Sequence, residues 1–215
     1  MSELKKQVAE AALKHLGDIN VLGVGTGSTV AYFIEALASI KHRIEGCVAS
    51  SKATEIALRE AGLPVINLAI ADPLALYVDG ADEVTQHKSM IKGGGGALTR
   101  EKIIATAAKK MICLVDESKL VRRLGAFPVA VEVLPMARSL VARALVKLGG
   151  DPIYREGFIT DNANIILDVF NLNLDEPMAM ESAIKLLPGV VESGIFAKRA
   201  ADTVLVARAS GVDVF

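Results

Sequence analysis

Short apolar segments alternate with helical segments over the first half of this 215-residue chain, and this alternation constrains the fold more than any other feature. The first apolar run leads into Gly25, and the second ends in Ser50 and Ser51, where Ser51 is placed to cap the next helix. The pattern predicts strands over residues 20–24, 44–49, 65–68, 75–78 and 110–115, and helices over residues 3–16, 30–40, 52–60 and 97–109. This order is typical of a Rossmann-like α/β fold, a mostly parallel sheet with helices on both faces.

The pattern of the chain changes near residue 127. It predicts strands over residues 129–133, 153–160, 165–168 and 190–196, and helices over residues 137–148 and 176–187. This β-α-β-β-α-β order resembles the split βαβ unit, an antiparallel α+β arrangement. Residues 203–207 are apolar again, and we expect them to return to the first sheet. The sequence therefore predicts a Rossmann-like domain of residues 1–126 and 203–215 and a smaller α+β domain of residues 127–202.

Charge and composition argue against several classes of protein. Lys and Arg number 24 and Asp and Glu number 25, which argues against a nucleic-acid surface or a polybasic membrane anchor. No apolar run has the length of a membrane span, and the N-terminal segment has the pattern of an amphipathic helix. Cys47 and Cys113 lie in apolar runs and are expected to be reduced and buried, whereas His15, His42 and His87 are expected at the surface. We therefore expect a cytoplasmic protein without nucleic-acid or membrane partners.

A glycine-rich loop containing Thr26, Gly27, Ser28 and Thr29 follows the first strand and opens a helix. Glycines let successive N–H groups face one anion, the helix N-terminus adds positive potential, and the hydroxyl groups add donors. The spacing is not that of a dinucleotide site, and a mononucleotide P-loop would need a Gly-Lys-Ser/Thr sequence. The loop therefore indicates a site for the phosphate of a small metabolite. The alternative is an ordinary strand-to-helix turn with a serine N-cap.

Two carboxylates, Asp79 and Asp82, flank Gly80 and Ala81 at the end of the strand predicted over residues 75–78. If these four residues form a β-turn, the α-carbons of the acids lie within about 7 Å and both carboxylates can face one ligand. Carboxylates suit sugar hydroxyls because each oxygen accepts more than one hydrogen bond. A solvated turn and a metal site remain alternatives, although acids without histidine are weak evidence for a metal. Because ligands of parallel sheets lie beyond the carboxyl ends of strands, we expect Asp79 and the Thr26 loop to share one crevice.

Lys92 is followed by four glycines, residues 93–96, and then by the helix that carries Glu101. Four glycines are costly in conformational entropy, which suggests a backbone task such as close ligand approach and a row of N–H donors. Lys92 then stands where it could stabilise a developing oxyanion. Glu101 has two interpretations: an exposed helix acid near the positive end of the dipole, or a functional acid. Burial would raise its pKa, whereas the dipole and Lys92 would lower it.

Five segments of the chain resemble ribose-5-phosphate isomerase of the A type: VGVGTGSTV, YVDGADE, MIKGGGGALTREKI, VEVLPMAR and GGDPIYREGFITDNANIILD. The resemblance covers essentially the whole chain. It implies an isomerase that interconverts ribose 5-phosphate and ribulose 5-phosphate through an enediolate, in the non-oxidative branch of the pentose phosphate pathway. It also implies no metal, no organic cofactor, and a homodimer or a dimer of dimers. Gly96 departs from the family, in which many members have alanine.

The resemblance also implies roles for individual residues. Glu101 is similar to the family's catalytic base, and Lys92 to the residue that stabilises the intermediate. Asp79 and Asp82 are similar to the acids that hold the sugar and assist ring opening. The residues implied to contact substrate are Lys5, Thr26, Gly27, Ser28, Thr29, Asp79, Gly80, Ala81, Asp82, Lys92, Gly93, Gly94, Gly95 and Lys119.

Three other functions compete with this one. A sugar-phosphate-binding regulatory module of related fold would need a DNA-binding segment, and no basic helix-turn-helix precedes Asn20. An amino-sugar-phosphate isomerase is weakened by the absence of a candidate catalytic histidine. A CoA transferase is weakened by the short chain.

Overall fold

A computed structural model describes residues 2–71 and 73–215 of the chain. The backbone divides into two compact units, each built from segments that are separate in sequence. The first unit comprises the chain up to Ala81 together with Arg100–Leu120 and Ala201–Phe215, and the second comprises Asp82–Thr99 and Val121–Ala200. Residues 82–99 thus belong to the second unit, whereas the sequence analysis grouped them with the first domain.

The regular elements are numbered in chain order. The helices of the described residues are α1 (Ser2–Ala12), α2 (Ser28–Ala38), α3 (Lys52–Glu60), α4 (Leu98–Ala107), α5 (Arg138–Lys147) and α6 (Pro177–Lys185). The strands are β1 (Val21–Val24), β2 (Gly46–Ala49), β3 (Leu74–Gly80), β4 (Glu83–Val84), β5 (Met90–Ile91), β6 (Ala108–Asp116), β7 (Val129–Val133), β8 (Asp151–Tyr154), β9 (Ile165–Phe170), β10 (Val190–Ser193), β11 (Ile195–Phe196), β12 (Thr203–Arg208) and β13 (Gly211–Val214).

The first unit is built on a mostly parallel sheet with strand order β13-β12-β6-β3-β1-β2. The pairs β1–β2, β1–β3, β3–β6 and β6–β12 are parallel, and the hairpin strand β13 is antiparallel to β12. The return of β12 to this sheet confirms the expectation for residues 203–207. Because parallel neighbours end at the same edge, the carboxyl ends of β1, β2, β3 and β6 meet along one side of the sheet.

Side chains of β3 show how helices cover both faces of this sheet. Leu76 and Val78 are buried in the apolar core that also contains Val8 of α1 and Phe33 of α2. Since successive side chains of a strand alternate between faces, Tyr77 lies on the opposite face, where α4 packs. A Cβ added at Gly23 would lie 2.7 Å from the Tyr77 ring and 2.6 Å from Ile104 of α4. The predicted fold class is confirmed.

The second unit contains an antiparallel sheet with strand order β10-β7-β9-β8. Its chain order β7-α5-β8-β9-α6-β10 is the predicted β-α-β-β-α-β sequence, and this prediction is confirmed. Residues of α5 and α6 pack with the inner face of the sheet in one buried core. A second, small antiparallel sheet with order β11-β5-β4 lies in the same unit, and its strand β5 leads directly into Lys92.

Several predicted strands differ from the structure in extent, and the strand predicted over residues 190–196 is two strands, β10 and β11, which belong to different sheets. Over residues 65–68 only a single bridge forms, from Val65 to Cys47, because the Asn67 side chain accepts from the Ala69 N–H and starts a 3₁₀ turn. The strand predicted over residues 153–160 is β8, which ends at Tyr154, because Gly157 has a positive φ of 69° and turns the chain. No helix in the described ranges has both the length and the apolar character needed to cross a bilayer.

Candidate active site

The N-terminus of α2 forms one part of the candidate site in the first unit. Helix α2 begins at Ser28, directly after Thr26 and Gly27, so its first N–H groups and its dipole favour an anion at this loop. The Ser28 hydroxyl accepts a hydrogen bond from Lys5 Nζ at 2.8 Å. Lys119 follows β6, the strand that pairs with β3, and lies in a 3₁₀ turn at the same edge of the sheet.

The Thr26 side chain is engaged by the end of the neighbouring strand β2. Its hydroxyl lies 2.7 Å from the hydroxyl of Ser50, 2.9 Å from that of Ser51 and 3.0 Å from that of Thr54. Ser51 also caps α3, as predicted, because its side chain accepts from the Thr54 N–H at 3.0 Å. These contacts fix the orientation of the Thr26 side chain, and Gly27 and Ser28 after it are exposed.

Asp79 ties this loop to the end of β3. Its Oδ1 accepts hydrogen bonds from the Thr26 N–H at 3.1 Å and the Gly80 N–H at 2.7 Å, and its Oδ2 accepts from the Tyr77 hydroxyl. The side chain is fully buried, and the absence of a Cβ at Gly25 makes room for it. The structure thus brings Asp79 and the Thr26 loop together, as expected, and shows Asp79 bonded to the protein itself. Strand β3 continues through Gly80, so the regular strand reaches further than residues 75–78.

Glu101 is buried on α4 and not an exposed helix acid, since only 4% of its surface is accessible. Burial raises the pKa of the Tyr77 phenol well above its ordinary range, and the charges of Asp79 and Glu101 raise it further. The charge of Glu101 therefore acts on the same phenol as the charge of Asp79, which places the two acids in one region of the first unit. No role for Tyr77 was expected from the sequence, although this residue lies inside the YVDGADE segment.

In the second unit, Lys92 is buried next to residues 93–96, the four consecutive glycines that are called the glycine run below. Its side chain is 3% exposed, and Nζ lies 5.7 Å from the centroid of the Phe196 ring, which is cation–π range. The Lys92 N–H donates to the Gly194 carbonyl at 2.9 Å. Gly93 has a φ of 112°, and a Cβ there would lie 2.8 Å from the Ala130 methyl, so both conformation and space call for glycine.

The carboxylate of Asp82 accepts a hydrogen bond from the backbone of the glycine run. Its Oδ2 accepts the Gly94 N–H at 2.8 Å, and a Cβ added at Gly94 would lie 2.8 Å from its Oδ1. The Gly96 N–H donates to the Gly93 carbonyl at 3.0 Å and closes the turn. Of the N–H donors expected along residues 93–96, those of Gly94 and Gly96 are therefore bonded within the protein. Gly95 is exposed, and a Cβ there would contact nothing within 4 Å.

Arg155 donates hydrogen bonds to carbonyl oxygens of the same run. This contact was not predicted from the sequence. The Arg155 guanidinium donates to the carbonyls of Gly93 and Gly94 at 3.2–3.3 Å and pairs with Asp168. Arg155 lies in the segment GGDPIYREGFITDNANIILD, which carried the resemblance, but a single arginine in that segment gives no sign of its target. Its contact with the glycine run depends on the register of β8 against β9.

The structural role of Glu132 was also not predicted from the sequence. Glu132 is fully buried on β7 and accepts hydrogen bonds from the Thr160 hydroxyl at 2.8 Å, from Asn164 Nδ2 at 2.8 Å and from Asn162 Nδ2 at 3.1 Å. It also accepts from the hydroxyl of Thr99, in the first turn of α4. A buried carboxylate with this many donors fixes the start of α4 within the second unit.

The cysteines and histidines are the other side chains that could carry chemistry. The cysteines are buried and the histidines are exposed. Cys47 and Cys113 are free, buried thiols, as predicted, and burial raises the pKa of Cys47 to about 12. His15, His42 and His87 are exposed, as predicted. Residues 2–71 and 73–215 contain no group of three or more His, Cys, Asp or Glu side chains placed to hold a metal ion.

Comparison with known proteins gives one consistent family. The family model described as ribose 5-phosphate isomerase A (phosphoriboisomerase A) matches residues 46–211. A ribose-5-phosphate isomerase A of Legionella pneumophila (strain Lens) is 68% identical over 213 residues, covering 99% of each chain. The crystal structure of ribose 5 phosphate isomerase A from Neisseria gonorrhoeae superposes with a TM-score of 0.97 at 46% identity, covering 100% of this chain and 96% of that one. The enzyme from Methanocaldococcus jannaschii gives a TM-score of 0.94 at 41% identity, covering 99% and 98%.

Proposed function

Because this chain belongs to the ribose 5-phosphate isomerase A family, we propose that it interconverts D-ribose 5-phosphate and D-ribulose 5-phosphate. This aldose–ketose isomerisation belongs to the non-oxidative branch of the pentose phosphate pathway. The observation that carries the proposal is the buried Glu101, an acid on α4 that is only 4% exposed and lies in the same region as Asp79. A buried acid near other ionisable groups at the end of a sheet is typical of a proton-transfer group.

Glu101 is the acid and base of the proposed reaction. Its carboxylate removes the proton from C2 of the open-chain aldose, and an enediolate forms between C1 and C2. A hydroxyl proton passes from O2 to O1 of the enediolate, and Glu101 returns the carbon-bound proton to C1, which gives the ketose. One carboxylate suffices for both transfers because the two carbons are adjacent. Asp79 and Asp82 are proposed to hold the sugar hydroxyls and assist ring opening, with Gly80 and Ala81 beside them.

Lys92 and the Gly95 amide stabilise the enediolate in this proposal, since the Gly94 and Gly96 amides donate within the protein. Negative charge develops on the carbonyl oxygen as the proton leaves, and donors already in place lower the energy of that state. Lys92 supplies a full positive charge from a buried position, where it acts more strongly than in water. Residues Gly93, Gly94 and Gly95 would line the substrate.

The loop at the start of α2 holds the phosphate in this proposal. The N-terminus of α2 with Thr26, Gly27, Ser28 and Thr29 supplies N–H and hydroxyl donors. Lys5, which already bonds to Ser28, and Lys119 add positive charge. Anchoring the phosphate keeps the reacting carbons still with respect to the base.

The reaction needs no cofactor in this proposal, since general acid–base chemistry and charge stabilisation account for each step. We further propose a cytoplasmic enzyme that acts as a homodimer or a dimer of dimers. A family with small soluble substrates of central metabolism supports the first expectation. Size-exclusion chromatography with light scattering measures the second directly.

The proposal is tested by following ribulose 5-phosphate formation from ribose 5-phosphate with the wild-type chain and two matched variants. Glu101→Gln keeps the size of the side chain and removes its basicity, so we expect turnover to fall by about 10³-fold or more while ribose 5-phosphate still binds. Glu60→Gln removes the same charge from an exposed position on α3 and should leave turnover unchanged. Near-normal turnover in Glu101→Gln would remove that residue from its role. Binding without any turnover in the wild-type chain would instead favour the sugar-phosphate-binding module.

A further inference from the structure

One side chain, Arg155, donates hydrogen bonds to two carbonyl oxygens of the glycine run. Arg155 donates from Nη1 and from Nη2 to the Gly93 carbonyl, each at 3.2 Å, and from Nη1 to the Gly94 carbonyl at 3.3 Å. Two consecutive peptide groups of residues 93–96 therefore face a single guanidinium. A planar group with several donors in a fixed fork suits such a double acceptor better than a point charge does.

Arg155 is itself held in place on three sides. Its Nε donates to Asp168 Oδ2 at 2.8 Å and its Nη2 to Asp168 Oδ1 at 2.5 Å, a bidentate pair whose side chains are each 18% exposed. The guanidinium carbon lies 5.4 Å from the centroid of the Phe158 ring. The Arg155 N–H donates to the Ile166 carbonyl at 3.0 Å, which fixes its backbone beside β9. The side chain is thus oriented before any ligand arrives.

Fixing a carbonyl also fixes the amide that shares its peptide plane. A trans peptide group is planar, and its C=O and N–H point in opposite directions. The Gly93 carbonyl shares a plane with the Gly94 N–H, and the Gly94 carbonyl shares one with the Gly95 N–H. Both N–H groups must therefore point away from Arg155. The Gly94 N–H does so, since it donates to Asp82 Oδ2 at 2.8 Å.

We propose that Arg155 is a positioning residue for the isomerisation: by holding the carbonyls of Gly93 and Gly94, it aims the Gly94 amide at Asp82 and the Gly95 amide at the substrate oxygen. This inference rests on the proposed function. Glycine populates many combinations of φ and ψ. Without the hydrogen bonds from Arg155, the N–H groups of four consecutive glycines would therefore point in many directions. Arg155 removes this freedom at two peptide planes and leaves the exposed Gly95 amide as a preorganised donor.

The competing explanation is that Arg155 only stabilises the second unit through its ion pair. The two explanations separate because different variants remove different contacts. Asp168→Asn keeps the size and one acceptor of that side chain and removes the ion pair, while Arg155 can still reach both carbonyls. Arg155→Lys keeps the charge beside Asp168 but cannot span two carbonyls and the carboxylate together. Arg155→Ala removes every contact.

The experiment measures kcat, KM and the thermal midpoint for these variants and for Arg123→Ala. Arg123 is an exposed arginine of the same unit that pairs with Asp175, so its variant controls for loss of an arginine ion pair. We expect Arg155→Ala and Arg155→Lys to lower kcat by about 10-fold to 100-fold, with KM changed less than about threefold. Arg123→Ala should stay within about threefold of the wild-type kcat, and Asp168→Asn, which keeps one acceptor for Arg155, should lose less kcat than Arg155→Lys. Added methylguanidine should restore part of the kcat of Arg155→Ala.

A second readout does not depend on turnover. Hydrogen exchange at the amides of residues 93–96 should accelerate in Arg155→Lys and not in Arg123→Ala. If Arg155→Ala fails to fold, the Lys variant carries the test. Equal loss of kcat in Asp168→Asn and Arg155→Lys, or a normal kcat in Arg155→Lys, would overturn the inference. A wild-type chain with no isomerase activity would overturn the proposed function instead, so the two failures are distinguishable.

Discussion

Replacing Gly25 with alanine tests whether the buried Asp79 must stay where it is. A Cβ at this position would lie 2.5 Å from Asp79 Cβ and closer still to the carboxyl group, whereas ordinary contact begins near 3.4 Å. Asp79 must therefore move by about 0.9 Å or more, the difference between these two distances. That movement breaks or stretches the hydrogen bonds from Thr26, Gly80 and Tyr77.

Two magnitudes follow from this displacement. Overpacking of a filled site costs about 1–3 kcal/mol, and a chain of this length loses roughly 2–4 °C of Tm per kcal/mol, so Tm should fall by about 2–12 °C. A displacement near 1 Å at a group that positions substrate costs about 10²-fold in turnover. Because Asp79 holds the Thr26 N–H at the phosphate loop, we expect KM for ribose 5-phosphate to rise as well.

Thermal unfolding and steady-state kinetics measure both effects, with Gly80→Ala as the control for stability. A Cβ at Gly80 meets only the Leu114 carbonyl, at 3.5 Å, which is an ordinary contact, and the backbone there needs no glycine. Gly80→Ala should therefore melt within about 2 °C of the wild-type chain. A Gly25→Ala protein with unchanged Tm and unchanged kcat would refute the argument that the close approach of Asp79 to residue 25 matters.

Three further outcomes are expected. Lys92→Ala should lower kcat by about 10²-fold or more, because it removes a buried donor to the enediolate, and a change confined to KM would indicate simple anchoring. Gly96→Ala should lower Tm, because Gly96 has a φ of 77° and an added Cβ would overlap the Phe158 ring, and melting curves of Gly96→Ala/Phe158→Val should show partial recovery. The free energy of unfolding should fall as the pH rises from about 9 towards 12, because burial keeps the Cys47 thiol protonated in the folded chain up to a pKa of about 12 while the unfolded chain releases the proton near 9. Urea unfolding of Cys47→Ala should show a shallower decline over that range.

The features that could be predicted from the sequence are those that depend on neighbouring residues. The alternation of strands and helices predicts the parallel sheet. Each element can be recognised because apolar residues recur at a different spacing in a helix and in a strand. The Ser51 cap could be predicted because a cap needs only the next few N–H groups. The meeting of Asp79 with the Thr26 loop could be predicted because both follow strands that the topology makes parallel neighbours.

Features that depend on long-range packing could not be predicted. The burial of Glu101 depends on what covers α4, and the pattern of the helix alone left an exposed acid equally open. The assignment of residues 82–99 to the second unit follows from the pairing of β5 with β11, about a hundred residues later in the chain. Arg155 reaches the glycine run only because β8 pairs with β9 in one register, and a shift by one residue would turn its side chain to the other face.

The four glycines after Lys92 meet separate demands, which explains why the run is so long. Gly93 needs both a positive φ and space beside Ala130, and Gly96 needs a positive φ and space beside Phe158. Gly94 has an ordinary φ but lies too close to Asp82 for a side chain. Only Gly95 has neither constraint, and it is the position whose amide Arg155 is proposed to aim at the substrate. A glycine with no packing task, at an exposed position of this turn, is expected where a ligand itself must approach the backbone.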